Sequence, residues 1–167
     1  MSQQQWCEAI IPQFDTVAFD PLDPEKRYHD GVFVKEVGNG TQGSLFHVTG
    51  DVIAARGMRF EVKVDYDALE SGHLYKYTKL GWVLEADYKS GRIRALLEAL
   101  PTPTKQQGIN FWERNPETGN HDIIWTKENG DRYGPGEQRR PTFKCNEWTR
   151  DHAVPALRAA GILRSSI

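Results

Sequence analysis

Cysteine is scarce: the chain of 167 residues holds two, Cys7 and Cys145. Two thiols exclude a disulfide framework and offer no CxxC pair for zinc, although a single disulfide stays open. Reduced thiols are the working expectation. Long apolar runs are missing, since nothing approaches the roughly 18 residues a membrane-spanning helix needs, and Met1-Ser2-Gln3-Gln4-Gln5 lacks the charged-then-apolar order of a signal peptide. A cytoplasmic protein with no membrane span is expected. Charge of one sign is also lacking. The formal net charge is -2 and the pI near 6.2, with positive residues scattered, which makes nucleic acid a poor partner. A glycine-rich phosphate loop and a dinucleotide fingerprint are absent, and no cofactor is expected.

What is present fits a single domain, residues 1–167, with a flexible N-terminus at 1–5 and a long loop at 101–143. The segment from Trp6 to Phe19 mixes β-formers with Pro12 and reads as an edge strand. Asp20-Pro21-Leu22-Asp23-Pro24-Glu25 reads as a turn. Tyr28 to Val37 is rich in β-branched and aromatic residues. Gly38-Asn39-Gly40-Thr41-Gln42-Gly43 then reverses the chain into Ser44-Leu45-Phe46-His47-Val48-Thr49, predicting a hairpin. Met58 to Val64 alternates apolar with charged residues, and Leu74 to Leu84 is a further strand. Together these predict an antiparallel sheet over about residues 28–84.

Two helices should cover that sheet, giving an α+β fold. The first is capped by Asp87, carries Tyr88, Ile93, Leu96, Leu97 and Leu100 as one apolar stripe, and stops at Pro101; Gly91 weakens it without abolishing it. The second runs from Cys145 to about Ala160, with Trp148, His152, Ala156 and Leu157 near one buried face, Pro155 as a kink and Gly161 as terminator. Between them, the loop at 101–143 is interrupted by Ile109-Asn110-Phe111-Trp112 and Ile123-Ile124-Trp125-Thr126. A loop of this length is expected to border whatever site the protein has.

Cys145 at a helix start is the best nucleophile candidate. Unpaired amides and the positive end of the macrodipole lower a thiol pKa there, and the same amides can hold an oxyanion. The alternative is a small buried hydrophobe, the common fate of a free cysteine. Arg139 and Arg140, just before it, are candidates for holding an anionic substrate; a solvated charge pair is the other reading.

The segments Ser44 to Gly50, Gly57 to Glu61, Ala86-Asp87-Tyr88, Cys145-Asn146-Glu147-Trp148-Thr149 and Gly161-Ile162-Leu163 resemble a widespread family of small uncharacterised fungal proteins. More remotely, Tyr28-His29-Asp30-Gly31-Val32-Phe33-Val34, Leu45-Phe46-His47-Val48 and Lys144-Cys145-Asn146-Glu147-Trp148 resemble, in order and spacing, the permuted papain-like enzymes of the NlpC/P60 superfamily. Its lecithin retinol acyltransferase and PPPDE types are included. There a histidine opens a strand, a second polar residue lies on the next, and an asparagine-cysteine pair begins a later helix; here Lys144 stands before the cysteine.

The resemblance implies Cys145 as nucleophile, His29 as base and His47 orienting that base from the neighbouring strand, which is the arrangement a thiol nucleophile needs. It implies a permuted papain-like fold and a cysteine-dependent acyl-transfer enzyme, an amide or ester hydrolase, acyltransferase or cyclase, working through a thioester on a small-molecule or peptide acyl substrate. The alternative is a non-catalytic binding protein that keeps the fold. His29, His47 and Cys145 hold no adjacent ligand pair, so no metal is expected. Oligomeric state is not legible.

Overall fold

The computed structural model describes residues 3–167. Its strands are β1 (Trp6–Phe14), β2 (His29–Asp30), β3 (Val32–Lys35), β4 (Gly43–Gly50), β5 (Met58–Tyr66), β6 (Leu74–Leu84), β7 (Gln107–Ile109), β8 (Ile123–Trp125) and β9 (Leu163–Arg164). The main sheet is antiparallel throughout, in the order β5-β4-β3-β1-β6-β9, with β2 also pairing β1; β7 and β8 form a separate antiparallel pair. Mixed α and β structure around a mostly antiparallel sheet is thus observed.

The hairpin and meander from β2 to β5 follow the pattern of the sequence, but the sheet is larger than residues 28–84. It begins with β1 and takes back the chain end through β9. β1 is not an edge strand: it lies between β3 and β6. Proline in a central strand normally costs a ladder bond. Here Pro12 falls opposite Gly31, in the gap between β2 and β3, while its other side faces Tyr77. The missing donor therefore coincides with a break already present in the ladder.

The apolar runs of β1, β3 and β4 fail to alternate with polar residues because both faces of the sheet are buried there. Ala9, Val32, Val34, Phe46 and Val48 face the helices with Ile93, Leu97, Trp148 and Leu157. Ile10, Phe14, Phe33 and Leu45 form a second cluster on the other face with Ala68.

The expected helix after Asp87 is two helices, α1 (Glu85–Lys89) and α2 (Arg92–Glu98). Gly91 sits between them at φ 80°, a left-handed conformation that no helix interior admits. Asp87 does not cap: α1 starts directly from β6, and the Asp87 carboxylate accepts from Arg92 Nη1 at 3.1 Å. Ile93 and Leu97 are buried, and Tyr88, Leu96 and Leu100 pack against the same core, so the apolar stripe survives the break.

The C-terminal helix likewise divides into α3 (Cys145–Glu147), a π-helical segment Trp148–Ala153, and α4 (Val154–Ala159). Pro155 would collide with the carbonyl four residues back in a regular helix. The wider π turn, in which Val154 N–H reaches Thr149 O, takes up that misfit immediately before the proline. Trp148 is fully buried, its ring 5.9 Å from that of Phe60.

The loop at 101–143 carries the β7–β8 pair and a bridge between Thr126 and Arg132. At the other end of the chain, residues 1 and 2 of the expected flexible N-terminus lie outside the described residues; Gln5 O accepts Glu85 N–H at 2.9 Å. Among the described residues no helix is long and apolar enough to cross a membrane.

Candidate functional site

A cleft of about 520 Å³ opens where β2 begins, between the turn at residues 20–25, the end of β4 and the start of α3. Cys145, His29 and His47 all line it, the two histidines from β2 and β4 and the cysteine from the start of α3. The β7–β8 loop contributes Gln107 and Ile123, so this loop does border the cleft.

The histidines are joined. His29 Nε2 lies 2.7 Å from His47 Nδ1, and His47 Nε2 lies 3.0 Å from Glu61 Oε1. Antiparallel pairing accounts for the line: His47 stands opposite Glu61 across β4 and β5. Gly31 permits the approach of the strands, because a Cβ there would stand 2.8 Å from Leu45 Cδ1 and 3.0 Å from His47 Cβ. Burial, reinforced by the neighbouring His47, lowers the His29 pKa to about 4. Burial also lowers that of His47, and its bond to Glu61 opposes the shift without reversing it. Glu61 is held below the usual carboxylate range by its hydrogen bond from His47.

Cys145 departs from the expectation for a helix start. It is 8% exposed, and burial raises its thiol pKa to about 11; the Asp30 amide works against the rise, while the Asp30 and Glu147 carboxylates add to it. Desolvation of a sulfur costs more than the dipole of a three-residue helical turn returns. The Cys145 sulfur and the His29 ring share no hydrogen bond. Alternation along β2 explains the separation: the Asp30 carboxylate turns toward the helix, where it accepts from Asn146 and Arg150, and His29 turns to the face of Phe14.

The first turn is anchored by its own side chains. Glu147 Oε1 accepts Lys144 N–H at 3.0 Å, the acceptor half of a capping box. Lysine cannot cap, and Lys144 Nζ instead binds Asp20 Oδ2 at 2.7 Å and Asp23 Oδ2 at 3.3 Å, tying the turn at 20–25 to the helix start. Burial disfavours the Asp20 carboxylate, yet its bonds from Lys144 and Gln107 leave its pKa lowered. Asn146 Nδ2 donates to Tyr28 O at 2.7 Å and to Asp30 Oδ2 at 3.0 Å, and Arg150 Nε reaches the same oxygen at 3.1 Å. The helix start is thereby fixed to the residues on either side of His29.

Arg139 and Arg140 are not brought into the cleft. Arg139 lies over the Trp125 ring at 3.9 Å, and Arg140 donates to Lys105 O at 2.9 Å, so both hold the loop. His73 and His121 are exposed, and the His152 ring packs 5.0 Å from that of Phe143. Among the described residues no group of three His, Cys, Asp or Glu side chains is arranged to hold a metal ion.

Glu61 escaped the sequence reading because the alternation in Met58 to Val64 assigns it to a solvated face. The signal was available in the register: a turn between Gly50 and Met58 sets Glu61 opposite His47. Asp30 had no comparable signal, since its partners lie about 120 residues away in the helix.

No curated protein and no solved structure matches the chain. The model of a family of unknown function (DUF6540) matches residues 17–164, a span that holds β2 to β9, every residue lining the cleft but Thr16, and His29, His47 and Cys145, and the chain belongs to that family.

Proposed function

We propose that the protein is a cysteine-dependent acyl-transfer enzyme with a permuted papain-like arrangement, acting on an amide or ester through a thioester at Cys145. The supporting observation is the convergence of Cys145, His29 and His47 on one cleft, with the two imidazoles 2.7 Å apart. A thiol at about 11 and an imidazole at about 4 rest as a neutral pair at neutral pH, so His29 acts as general base during attack and not as the partner of a standing thiolate. The proton leaves Sγ for His29 Nδ1 as the sulfur bonds to the substrate carbonyl carbon. Collapse breaks the bond to the leaving group, which takes that proton. Water or an acceptor hydroxyl or amine, deprotonated by the same imidazole, then cleaves the thioester and restores the thiol.

The raised thiol and the absent sulfur–imidazole bond favour a second reading, a binding protein that keeps the fold and uses the cleft for a ligand. Incubation with p-nitrophenyl acetate followed by mass spectrometry separates the two. An acetyl group on Cys145, lost on hydroxylamine treatment and reduced by His29→Ala, supports the enzyme. An unmodified Cys145 after full consumption of the ester by buffer alone overturns it in favour of the binding protein.

A further inference from the structure

We infer that Glu61 is a positioning residue that fixes the proton order along the two histidines, so that His29 offers a lone pair on Nδ1 to the cleft. The catalytic consequence rests on the acyl-transfer reading; the proton order itself does not. A carboxylate only accepts hydrogen bonds, so the 3.0 Å contact requires the proton of neutral His47 to sit on Nε2. Its Nδ1 is then the acceptor in the 2.7 Å contact, which requires the proton of neutral His29 on Nε2. One tautomer remains for each ring, and Nδ1 of His29 is left as the basic atom.

The surroundings support the same order. Arg59 Nη2 lies 3.8 Å from Glu61 Oε2, on the oxygen not used by His47, and the bond from His47 holds Glu61 ionised. The charged groups acting on the pair are Asp30, Glu61, Lys63 and Arg59; the two carboxylates favour protonated imidazole, and the two cations oppose it. Glu61 stands on β5, the edge of the sheet, with its side chain 35% exposed, so its replacement leaves the core intact.

The test reads tautomers directly. Long-range proton–nitrogen NMR spectra of the folded protein at pH 7 should show both His29 and His47 protonated on Nε2. In Glu61→Ala, His47 should become a mixture of tautomers and His29 should follow. Glu61→Gln keeps an acceptor oxygen and should restore the wild-type tautomers, while loss of the negative charge moves the pH profile of Cys145 acylation toward acid. With p-nitrophenyl acetate, Glu61→Ala should slow acylation about tenfold to a hundredfold with little change in KM. An Nδ1–H tautomer at either histidine in the wild type, or tautomers unmoved in Glu61→Ala, overturns the assignment. Correct tautomers with no acylation of the wild type would leave the proton order standing and remove the acyl-transfer reading.

Discussion

Cys7 and Cys145 carry the same side chain, are both free and buried, and both have thiols pushed upward by burial. Cys7 lies within β1 opposite Val83, at 1% exposure, in the core between sheet and helices. Cys145 belongs to the same core by its packing but opens onto the cleft shared with His29 and His47. A displaced pKa therefore does not distinguish a reactive cysteine from a packing one. On the acyl-transfer proposal, access and a nearby base do, because a general base can take the proton during attack even when little thiolate stands at rest.

The largest way to break this comparison is to delete each thiol. Cys145→Ala should lower thioester formation with p-nitrophenyl acetate by about 10³-fold or more, whereas Cys7→Ala should leave the initial rate within about twofold. Equal losses would remove the distinction between the two sites.

Removing the packing beneath Cys145 should act on stability first. Trp148→Ala should cost about 3–5 kcal/mol, a fall of roughly 10 °C in Tm, because Trp148 is fully buried against Phe60. An unchanged Tm would mean that the helix is not held as the structure has it.

Acid should loosen the histidine side of the cleft. His29 titrates near 4 when folded against 6.5 ordinarily, so the unfolded chain binds this proton more readily. Its contribution is complete above pH 6.5 and is lost as pH falls toward 4, by up to about 3 kcal/mol. Denaturant midpoints across this range should fall more steeply for the wild type than for His29→Asn; parallel curves would contradict the half-buried neutral imidazole.

The smallest effect sharpens the contrast between the cysteines. Iodoacetamide labelling of Cys145 at neutral pH should be slow and rise about tenfold per pH unit toward its pKa, which burial places at about 11. Labelling of Cys7 should lag behind at every pH, since only Cys145 lines the cleft. Fast labelling at pH 7 would mean that the thiol is not desolvated as described.

Local chemistry made much of this legible. Alternation and turn residues placed β3 to β6, and the apolar spacing of Tyr88, Ile93, Leu96, Leu97 and Leu100 marked a packing face despite the break at Gly91. The resemblance selected His29, His47 and Cys145, which line one cleft. Nearness in sequence to Cys145 pointed to Arg139 and Arg140 but said nothing of their partners Trp125 and Lys105, against which the structure places them.

By itself the sequence determined the strands from Trp6 to Leu84, the turns between them and that a cysteine opens a helix, because these follow from side chains within a few residues of one another; β7, β8 and β9 were not among them. Tertiary structure alone decided that β1 is central, that Glu61 completes the histidine line and that Asp30 anchors Asn146 and Arg150. It also decided the state of the Cys145 thiol. Those outcomes depend on strand partners and on the loss of water around buried groups, and both are set by residues far away along the chain.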